Sequence, residues 1–383
     1  MSHCNKKMLS FFLTTRCNLC CSYCYNAKER NAIEEKTLPL EIAKAGIDWY
    51  FNQNDSRHIR FYGPGEPTQE FERLKEITAY AKAHPNRGEK VTIEIQTNGV
   101  FTEDVRNWAL DNFNIMWMSF DGMKDVQSHN RPLNSLFSSL FNNRSSADVL
   151  EDNVKWLISN KGDRNLMVGA RVTITDININ RQTEMVDYFY DLGIRYVWTN
   201  PLFHSVGKVP VCLDEKKKLA YHFNMDLYLD NYLKAYEYAK SKGVFWGSFL
   251  AINFDGESPY HCRCCTPLSA PHLTPDGYIS ACDMVVLGEK PYHMSPFIVG
   301  KWDADTHEFW IDLEKVKVLE NRKSTEMSHC RNCPVKLHCG GCCLGETVNE
   351  FGRLDGQNVV KCRAIRQLYE KLGVCEPYKY LHP

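Results

Sequence analysis

The placement of its cysteines constrains this chain more than any other feature. The 383-residue sequence contains 17 of them, and most fall in two stretches, 17–24 and 262–362. The N-terminus carries no basic-then-apolar signal pattern, and the apolar run Met8–Leu13 is too short to span a membrane. We therefore expect a cytoplasmic protein without a membrane partner, in which reduced thiols bind metal rather than form disulfides.

The bulk composition is that of an ordinary globular protein. Hydrophobic residues make up 43% of the chain and charged residues 24%, and the formal net charge is -1. Because there is no basic surplus, nucleic acid is not expected as a partner. The length suffices for one large domain and one smaller domain.

The first half of the sequence alternates short β-like runs with amphipathic helical stretches. The predicted strands are Leu9–Thr14, His58–Tyr62, Val91–Gln96, Ile115–Phe120, Met167–Thr175 and Arg195–Thr199. Helices are predicted near Leu38–Asn54, Gln69–His84, Asp104–Phe113, Asp148–Asn160 and Gln182–Leu192. Thr37 is the predicted N-cap of the first helix. Six strand–helix units imply parallel strands in a doubly wound sheet or a partial barrel, with ligands at the carboxyl ends of the strands.

Three parts are predicted along the chain. Residues 1–212 are expected to form the α/β domain, and residues 213–255 a bridging helical segment. Residues 256–383 change to short strands, turns and cysteines, and a final helix is predicted near Lys361–Leu372.

Two connections are informative. The pair Asp276–Gly277 marks a tight turn between β-like flanks in the C-terminal part. The segment Asp121–Ala147 is long for a strand–helix connection and is expected to lie over the strand ends. It forms either a substrate-contacting loop or a mobile surface insertion.

The first cysteine group directly follows the first predicted strand. Cys17, Cys21 and Cys24 have the spacing C-x3-C-x2-C. Three thiolates on a short loop can hold three corners of a cubane 4Fe–4S cluster and leave one iron open to a ligand. The alternative is a zinc site with Cys20 as fourth ligand.

With this loop, the sequence resembles the radical S-adenosylmethionine (SAM) superfamily. In that family the open iron binds the amino and carboxylate groups of SAM, and an electron from the cluster cleaves the sulfonium to give a 5′-deoxyadenosyl radical. Tyr23 matches the aromatic residue that typically precedes the last cysteine. The resemblance implies a partial (β/α)6 TIM-like barrel.

Further motifs of the family follow at the ends of successive strands. The residues that the resemblance implies for SAM binding are Tyr23, Gly65, Glu66, Pro67, Thr97, Asn98, Ser119, Asp121 and Arg171. Pro64 stands where the family has a glycine, and because proline lacks an N–H we expect local backbone contacts to differ. A strand-end cap or a turn former is the alternative role of each polar residue.

The second cysteine group resembles the seven-cysteine SPASM auxiliary domain. It has the pattern C-x11-G-x4-C from Cys265 to Cys282 and C-x2-C-x5-C-x3-C from Cys330 to Cys343, followed by Cys362. The resemblance implies two auxiliary 4Fe–4S clusters, and therefore three clusters in the chain. Two structural zinc sites are the alternative.

The resemblance also implies which cysteines bind each auxiliary cluster. The ligands of one are Cys330, Cys333, Cys339 and Cys362, and those of the other include Cys265, Cys282 and Cys343. The fourth ligand of the latter is Cys262 or Cys264, unless one iron of this cluster is open and contacts substrate. Cys262 is favoured because Cys264 abuts Cys265, and adjacent residues rarely point at the same iron.

Relatives with this auxiliary domain mostly modify peptides and proteins, by crosslinking or by side-chain oxidation. The resemblance therefore implies an oxidative peptide or protein maturase similar to the anaerobic sulfatase maturases, reduced by a flavodoxin or ferredoxin. Since the first strand begins close to the N-terminus, a separate leader-peptide-binding protein is one expected route of recognition. The alternatives are a small-molecule dehydrogenase or carbon-skeleton enzyme using the same radical, and a non-catalytic electron carrier or zinc protein.

Two residues are candidates for direct chemistry. Asp283 directly follows Cys282, and an aspartate at this place acts as a base in the sulfatase-maturase branch; the alternative is a turn aspartate that caps backbone N–H groups. Cys212 is isolated between the two cysteine groups. It is a candidate hydrogen donor, as in some radical peptide epimerases, or else a buried hydrophobic residue.

Overall fold

The computed structural model of the chain describes residues 6–24, 35–202, 223–288 and 292–376. Within these ranges, 11 strands form one continuous sheet. Seven of them are β1 (Leu9–Phe12), β2 (His58–Tyr62), β3 (Thr92–Thr97), β4 (Ile115–Ser119), β5 (Met167–Ile174), β6 (Tyr196–Pro201) and β7 (Phe245–Ser248). These seven pair in parallel and in chain order, which confirms the predicted α/β class and partial barrel.

The seventh parallel strand lies outside the six units predicted from the sequence. It falls within 213–255, which the sequence analysis interpreted as a bridging helical segment, and it pairs with β6 through Trp246 and Val197. A run of four residues is too short for periodicity to separate a strand from a helix. The end of that segment is thus part of the barrel sheet.

The helices between the parallel strands bury one face against the sheet. They are α1 (Leu40–Gln53), α2 (Phe71–Ala83), α3 (Glu103–Asn112), α4 (Lys124–Asn130), α5 (Ser146–Asn160), α6 (Gln182–Asp191) and α7 (Met225–Ser241). The N-cap prediction for α1 is wrong. Pro39 occupies that position with an extended backbone, and the Thr37 hydroxyl instead donates to Glu70 Oε1 at 3.2 Å.

Side chains on both faces of the barrel strands are buried, as parallel strands covered by helices require. Phe11 of β1 and Phe61 of β2 are fully inaccessible, and their rings stack with centroids 5.7 Å apart. Burial of such a side chain contributes about 1.5–3 kcal/mol. This core fixes the strand ends, so the loops that follow them start from fixed positions.

The C-terminal part extends the same sheet beyond β1. Its strands are β8 (His272–Leu273), β9 (Tyr278–Ser280), β10 (Ile298–Asp303) and β11 (Glu308–Ile311). Strand β8 runs parallel to β1, whereas β9, β10 and β11 continue the sheet with antiparallel pairing. The predicted tight turn lies between β8 and β9, where Gly277 has a φ of +81°. The β1–β8 pairing brings the C-terminal cysteines next to the first cysteine loop.

Short helices complete the C-terminal part. They are α8 (Leu313–Glu320), α9 (Lys336–Cys339), α10 (Leu344–Phe351) and α11 (Val359–Leu372). The last agrees with the predicted final helix, and its Tyr369 ring packs edge-on against Phe254 at 5.2 Å. Among the helices of the described ranges, none is both long and apolar enough to cross a membrane.

The long connection 121–147 lies against the first cysteine loop. Leu133 forms a β-bridge with Leu19, and the Cys20 N–H donates to the Pro132 carbonyl at 2.9 Å. Further along, Leu136 is 84% exposed. Ser146 and Ala147, at the end of the connection, are buried again. The connection is therefore anchored at both ends and exposed in its middle part.

Candidate active site

A cavity of about 240 Å³ lies where the strand-end rule places a ligand site. Residues that follow β1 to β6 line one side of it, and residues of the C-terminal part line the other. Cys17, Cys21 and Cys24 all line this cavity, whereas Cys20 is exposed. The three predicted cluster ligands thus line one cavity, and the alternative zinc ligand does not line it.

Neighbouring backbone groups fix the conformation of the cysteine loop. Asn18 is fully buried and its side-chain amide donates to the Val100 carbonyl at 2.7 Å. The Asn98 amide donates to Asn18 Oδ1 at 2.7 Å and lies 3.9 Å from Cys17 Sγ. Asn98 therefore both anchors the loop and offers a hydrogen bond to a predicted ligand sulfur.

The segment after β2 packs directly against this loop. The N–H groups of Gly65 and Glu66 donate to the carbonyls of Thr14 and Arg16, at 3.1 and 2.7 Å. A Cβ atom on Gly65 would lie 2.1 Å from the Arg16 oxygen, so only glycine fits there. Pro64 lines the cavity in place of the family's glycine. The hydrogen bonds of Gly65 and Glu66 to the cysteine loop form with proline at this position.

The buried carboxylate of Glu66 joins the ends of β2 and β3. Its Oε1 accepts from the Thr97 hydroxyl at 2.7 Å and from the N–H and hydroxyl of Thr68, while Oε2 accepts from the Asn98 N–H at 2.7 Å. Burial raises the pKa of Glu66 despite these hydrogen bonds. The oxygen Oε2 retains capacity for a further donor, such as an ammonium group.

Asp121 has a different environment from the one the SAM-binding prediction suggests. It is fully buried behind the cavity wall and forms a two-point ion pair with Arg131, with both contacts at 3.1 Å. The Tyr23 hydroxyl donates to Asp121 at 2.5 Å, and the Thr173 N–H donates at 2.9 Å. Burial raises the pKa of Tyr23 well above its ordinary value. Asp121 thus positions Tyr23 and Arg131, which line the cavity themselves.

Two further predicted SAM contacts, Ser119 and Arg171, line the cavity, whereas the predicted contact Pro67 is buried at the start of a short 3-10 helix and does not line it. The Arg171 guanidinium donates to the Gln96 side chain. When the Asn200 amide is oriented to satisfy its neighbours, its oxygen accepts from Arg171 at 3.0 Å. These contacts hold a cationic group at the wall opposite the cysteine loop.

Asp283 is surrounded by basic side chains. Its carboxylate lies 2.5 Å from Arg60 Nη2, 2.7 Å from His272 Nε2 and 3.9 Å from Arg263 Nη2. Burial opposes ionisation of Asp283, but Arg60, His272 and Arg263 outweigh it and hold its pKa well below the ordinary value. Asp283 is therefore an anion at neutral pH, and a carboxylate stabilised in this way is a weak proton acceptor.

The sequence analysis did not single out the basic residues around Asp283. Arg60 is fully buried in the middle of β2, and its Nε donates to the Ser10 hydroxyl at 3.0 Å. Arg263 lies between two candidate cluster cysteines and lines the cavity together with His272. Arg60 could have been found from the sequence, because it is a charged residue within a predicted buried strand. A charged side chain in such a strand usually has a buried partner of opposite charge.

The cysteines of the first auxiliary group face the same cavity. Those that line it are Cys262, Cys264, Cys282 and Cys343. The thiol of Cys262 contacts those of Cys264, Cys265 and Cys343. Cys265 itself is fully buried. The structure thus gathers all five predicted or alternative ligands of this cluster beside Asp283.

The cysteines of the second auxiliary group line a separate cavity of about 50 Å³. The predicted ligands Cys330, Cys333, Cys339 and Cys362 are all present there, together with Cys342. Cys342 was not assigned a role from the sequence. Cys212, the candidate hydrogen donor, lies outside the described residues.

The thiol sets fit cubane clusters in number and placement. A four-iron cluster needs cysteines spread around a cube, with three ligands where one iron stays open and four where the cluster is closed. The first loop supplies three thiols at one cavity, and each C-terminal group supplies at least four. No three His, Cys, Asp or Glu side chains of the described ranges are grouped as ligands of a single metal ion.

The structure is a partial barrel with a three-cysteine loop after its first strand, and further cysteines line the same cavity. This arrangement is typical of enzymes that use an iron–sulfur cluster with one open iron. The model of the radical SAM superfamily matches residues 11–189. Residues 11–189 therefore form a radical SAM domain, a fold that implies a 4Fe–4S cluster and SAM.

Similarity extends beyond the matched segment. The chain is 22% identical over 397 residues to the radical SAM cyclopropyl synthase TigE of Paramaledivibacter caminithermalis, spanning 98% of this chain and 73% of TigE. The solved structure of anSMEcpe with bound AdoMet and the Cp18Cys peptide matches with a TM-score of 0.68 at 16% identity, over 95% of both chains. Streptococcus suis SuiB bound to S-adenosylmethionine matches with a TM-score of 0.63 at 15% identity, over 93% of this chain and 77% of SuiB. The shared fold therefore includes the cysteine-rich C-terminal part.

Proposed function

We propose that this radical SAM enzyme oxidatively modifies a peptide or protein, forming a crosslink or oxidising a side chain, with three 4Fe–4S clusters. The observation that carries the proposal is one cavity that brings together the first cysteine loop, the strand-end residues and the first auxiliary cysteines. A substrate in this cavity would lie between a site of radical formation and a site that can take up an electron. The second auxiliary group would hold the third cluster.

Peptides bound to structurally similar proteins support a peptide substrate. The solved structures include anSMEcpe with a bound peptide and SuiB bound to its precursor peptide SuiA. We therefore infer that the substrate of this chain is a peptide or protein. A small-molecule substrate is the competing hypothesis.

Cys17, Cys21 and Cys24 would hold the first cluster, which on binding SAM supplies the 5′-deoxyadenosyl radical. The Glu66 Oε2 atom can accept from an ammonium group, and Asn98 is placed to donate to a ligand sulfur. Arg171 offers a cationic partner for a carboxylate across the cavity. We expect these residues to orient the cofactor.

Asp283 would act on the substrate as a fixed anion. Because Arg60 and His272 hold its carboxylate in one place, it can accept a hydrogen bond from a substrate hydroxyl, thiol or amide. Its lowered pKa makes full proton transfer to it unfavourable unless the substrate group becomes more acidic after oxidation. A flavodoxin or ferredoxin would supply electrons, and a separate leader-binding protein would present a peptide.

The test uses anaerobically reconstituted full-length protein with dithionite, SAM and peptides encoded beside its gene. We expect 5′-deoxyadenosine and a peptide whose mass is lowered by oxidation. The triple variant Cys17→Ala, Cys21→Ala, Cys24→Ala should lose SAM cleavage but keep two clusters. The control variant Cys20→Ala should keep SAM cleavage and all three clusters. Turnover of a metabolite with no change in any local peptide would reject the peptide class. Iron loss from all sites in the triple variant would reject three independent clusters.

A further inference from the structure

The second auxiliary cavity contains a fifth cysteine whose position is distinctive. Cys342 Sγ lies 3.8 Å from Cys339 Sγ and 3.9 Å from Cys362 Sγ, both within hydrogen-bonding distance for sulfur. Cys339 and Cys362 are predicted ligands of the same cluster. The thiol of Cys342 therefore lies between two ligand sulfurs that are 23 residues apart in sequence.

The backbone around Cys342 is built to hold this thiol in place. Gly340, Gly341 and Cys342 adopt left-handed conformations in succession, with φ values of +63°, +84° and +64°. A Cβ atom on Gly340 would lie 2.1 Å from the Tyr260 carbonyl carbon, so this position requires glycine. Cys342 adopts the same conformation although it carries a side chain, at an energetic cost that glycine would avoid.

One buried arginine fixes this left-handed segment. The Arg322 guanidinium is only 6% exposed and donates to the carbonyls of Gly340, Gly341 and Cys342 at 3.3, 2.6 and 3.2 Å. Three hydrogen bonds to consecutive carbonyls leave the segment little freedom to rotate. The direction of the Cys342 side chain is thus determined by the fold.

Cys342 is not needed as a ligand itself. The predicted set already provides four thiols, Cys330, Cys333, Cys339 and Cys362, so a closed four-iron cluster needs no fifth ligand. Cys342 contacts two of these sulfurs, Cys339 and Cys362. Cys343, the next residue, faces the other cavity, so the chain crosses between the two sites here.

We propose that Cys342 is a positioning residue that donates an S–H hydrogen bond to the thiolate of Cys339 or Cys362 and thereby raises the reduction potential of the second auxiliary cluster. Hydrogen bonds to cluster sulfurs stabilise negative charge, and the reduced cluster carries more of it. A single thiol proton serves one acceptor at a time. This inference rests on the second auxiliary cluster of the proposed function.

The test compares Cys342→Gly with Cys342→Ser in the full-length, anaerobically reconstituted protein. Glycine suits the left-handed backbone and removes the donor, whereas serine keeps an O–H donor. Iron content is measured first, and cluster potentials are then measured by redox titration followed by electron paramagnetic resonance. The Cys17, Cys21 and Cys24 triple-alanine background leaves only the two auxiliary signals. Cys375→Ser, a change at a cysteine outside both cavities, is the control.

We expect Cys342→Gly to keep its iron and to shift one auxiliary potential to a more negative value, with Cys342→Ser close to the unsubstituted protein. An unchanged potential in Cys342→Gly would overturn the inference, and so would loss of four irons, which would make Cys342 a ligand. If the unsubstituted protein holds no second auxiliary cluster, its own iron content reveals this, and the proposed function fails before the variants are compared.

Discussion

Arg60 Nη2 lies 2.5 Å from the Asp283 carboxylate, although the two residues are 223 positions apart. Arg60 belongs to the second barrel strand, and Asp283 follows a predicted cluster cysteine of the C-terminal part. The pair therefore connects the barrel interior to the auxiliary site. It also supplies charge at the wall of the cavity where we place the substrate.

Removing one member of this pair should destabilise the fold. In Arg60→Met, Asp283 keeps His272 but loses a fully buried guanidinium. We expect the free energy of unfolding to fall by about 1–3 kcal/mol, because the Asp283 side chain is 35% exposed and water screens part of the loss. Chemical denaturation measures it. Asp55→Asn, at an exposed pair with Lys7, is the control and should leave the midpoint unchanged. Equal midpoints for the two variants would contradict a buried ion pair.

The ion pair behind the cysteine loop should matter more. Asp121 is fully buried, and Asp121→Asn would leave the Arg131 guanidinium, 11% exposed, without a full counter-charge. Loss of a buried partner typically costs about 3–5 kcal/mol. Asp125→Asn, at an exposed pair with Arg181, should cost about 0.2–1 kcal/mol. Thermal unfolding of the two variants at one pH measures both losses of stability. If Asp121→Asn is no more destabilising than Asp125→Asn, other contacts hold the cysteine loop.

Gly65 and Gly63 provide a matched test within one motif. In Gly65→Ala the new methyl group would overlap the Arg16 carbonyl, so the loop must shift; such overpacking typically costs about 1–3 kcal/mol. In Gly63→Ala the nearest atom would be Phe12 Cα at 3.5 Å, an ordinary contact. We expect 5′-deoxyadenosine formation to fall at least tenfold in Gly65→Ala and less than twofold in Gly63→Ala. Equal rates would show that the close approach is not needed for SAM cleavage.

Acidification should destabilise the base of the barrel through His58. Burial, with a smaller effect from Lys6, lowers the pKa of His58 to about 4, even though Glu94 lies 2.9 Å away and opposes the shift. Below the ordinary histidine pKa of about 6.5, the unfolded chain binds a proton that the folded chain does not, so stability falls as pH decreases. The loss accumulates between about pH 6.5 and pH 4, and amounts to about 3 kcal/mol.

His58→Gln tests this pH dependence. The variant should be less stable than the unsubstituted protein at pH 7, since Glu94 loses a partner. Its stability should nevertheless change less between pH 6.5 and pH 4. Denaturation midpoints at several pH values give the slope, and the same slope in both proteins would assign the pH effect to another group.

The sequence predicted those features that depend on local patterns. Alternating apolar runs located six parallel strands, and the C-x3-C-x2-C spacing located the loop at the end of β1. Strand β7 was missed because four residues carry too little periodicity. Asp121 was expected at the cofactor because it matches the S-x-D-G segment of the family, but its pairing with Arg131 depends on a tertiary contact that no local pattern encodes.

The same distinction applies to the cysteines. The resemblance to the SPASM pattern supplied the grouping of the thiols, and cysteines of both implied groups line the two cavities. Spacing could not place Cys342 between Cys339 and Cys362, because that depends on three left-handed residues and a buried arginine from another segment. The surroundings of Asp283 were likewise invisible, since Arg60, His272 and Arg263 come from distant parts of the chain.

The parallel pairing of β8 with β1 has a consequence for how such chains can diversify. Two backbone ladders, one from the barrel and one from the C-terminal part, share a single central strand, so the two parts separate only if the β1–β8 pairing breaks. A chimaera that exchanged the C-terminal half would have to supply a new neighbour for β1 in the same register. The two halves should therefore be inherited together, because their contact depends on this pairing.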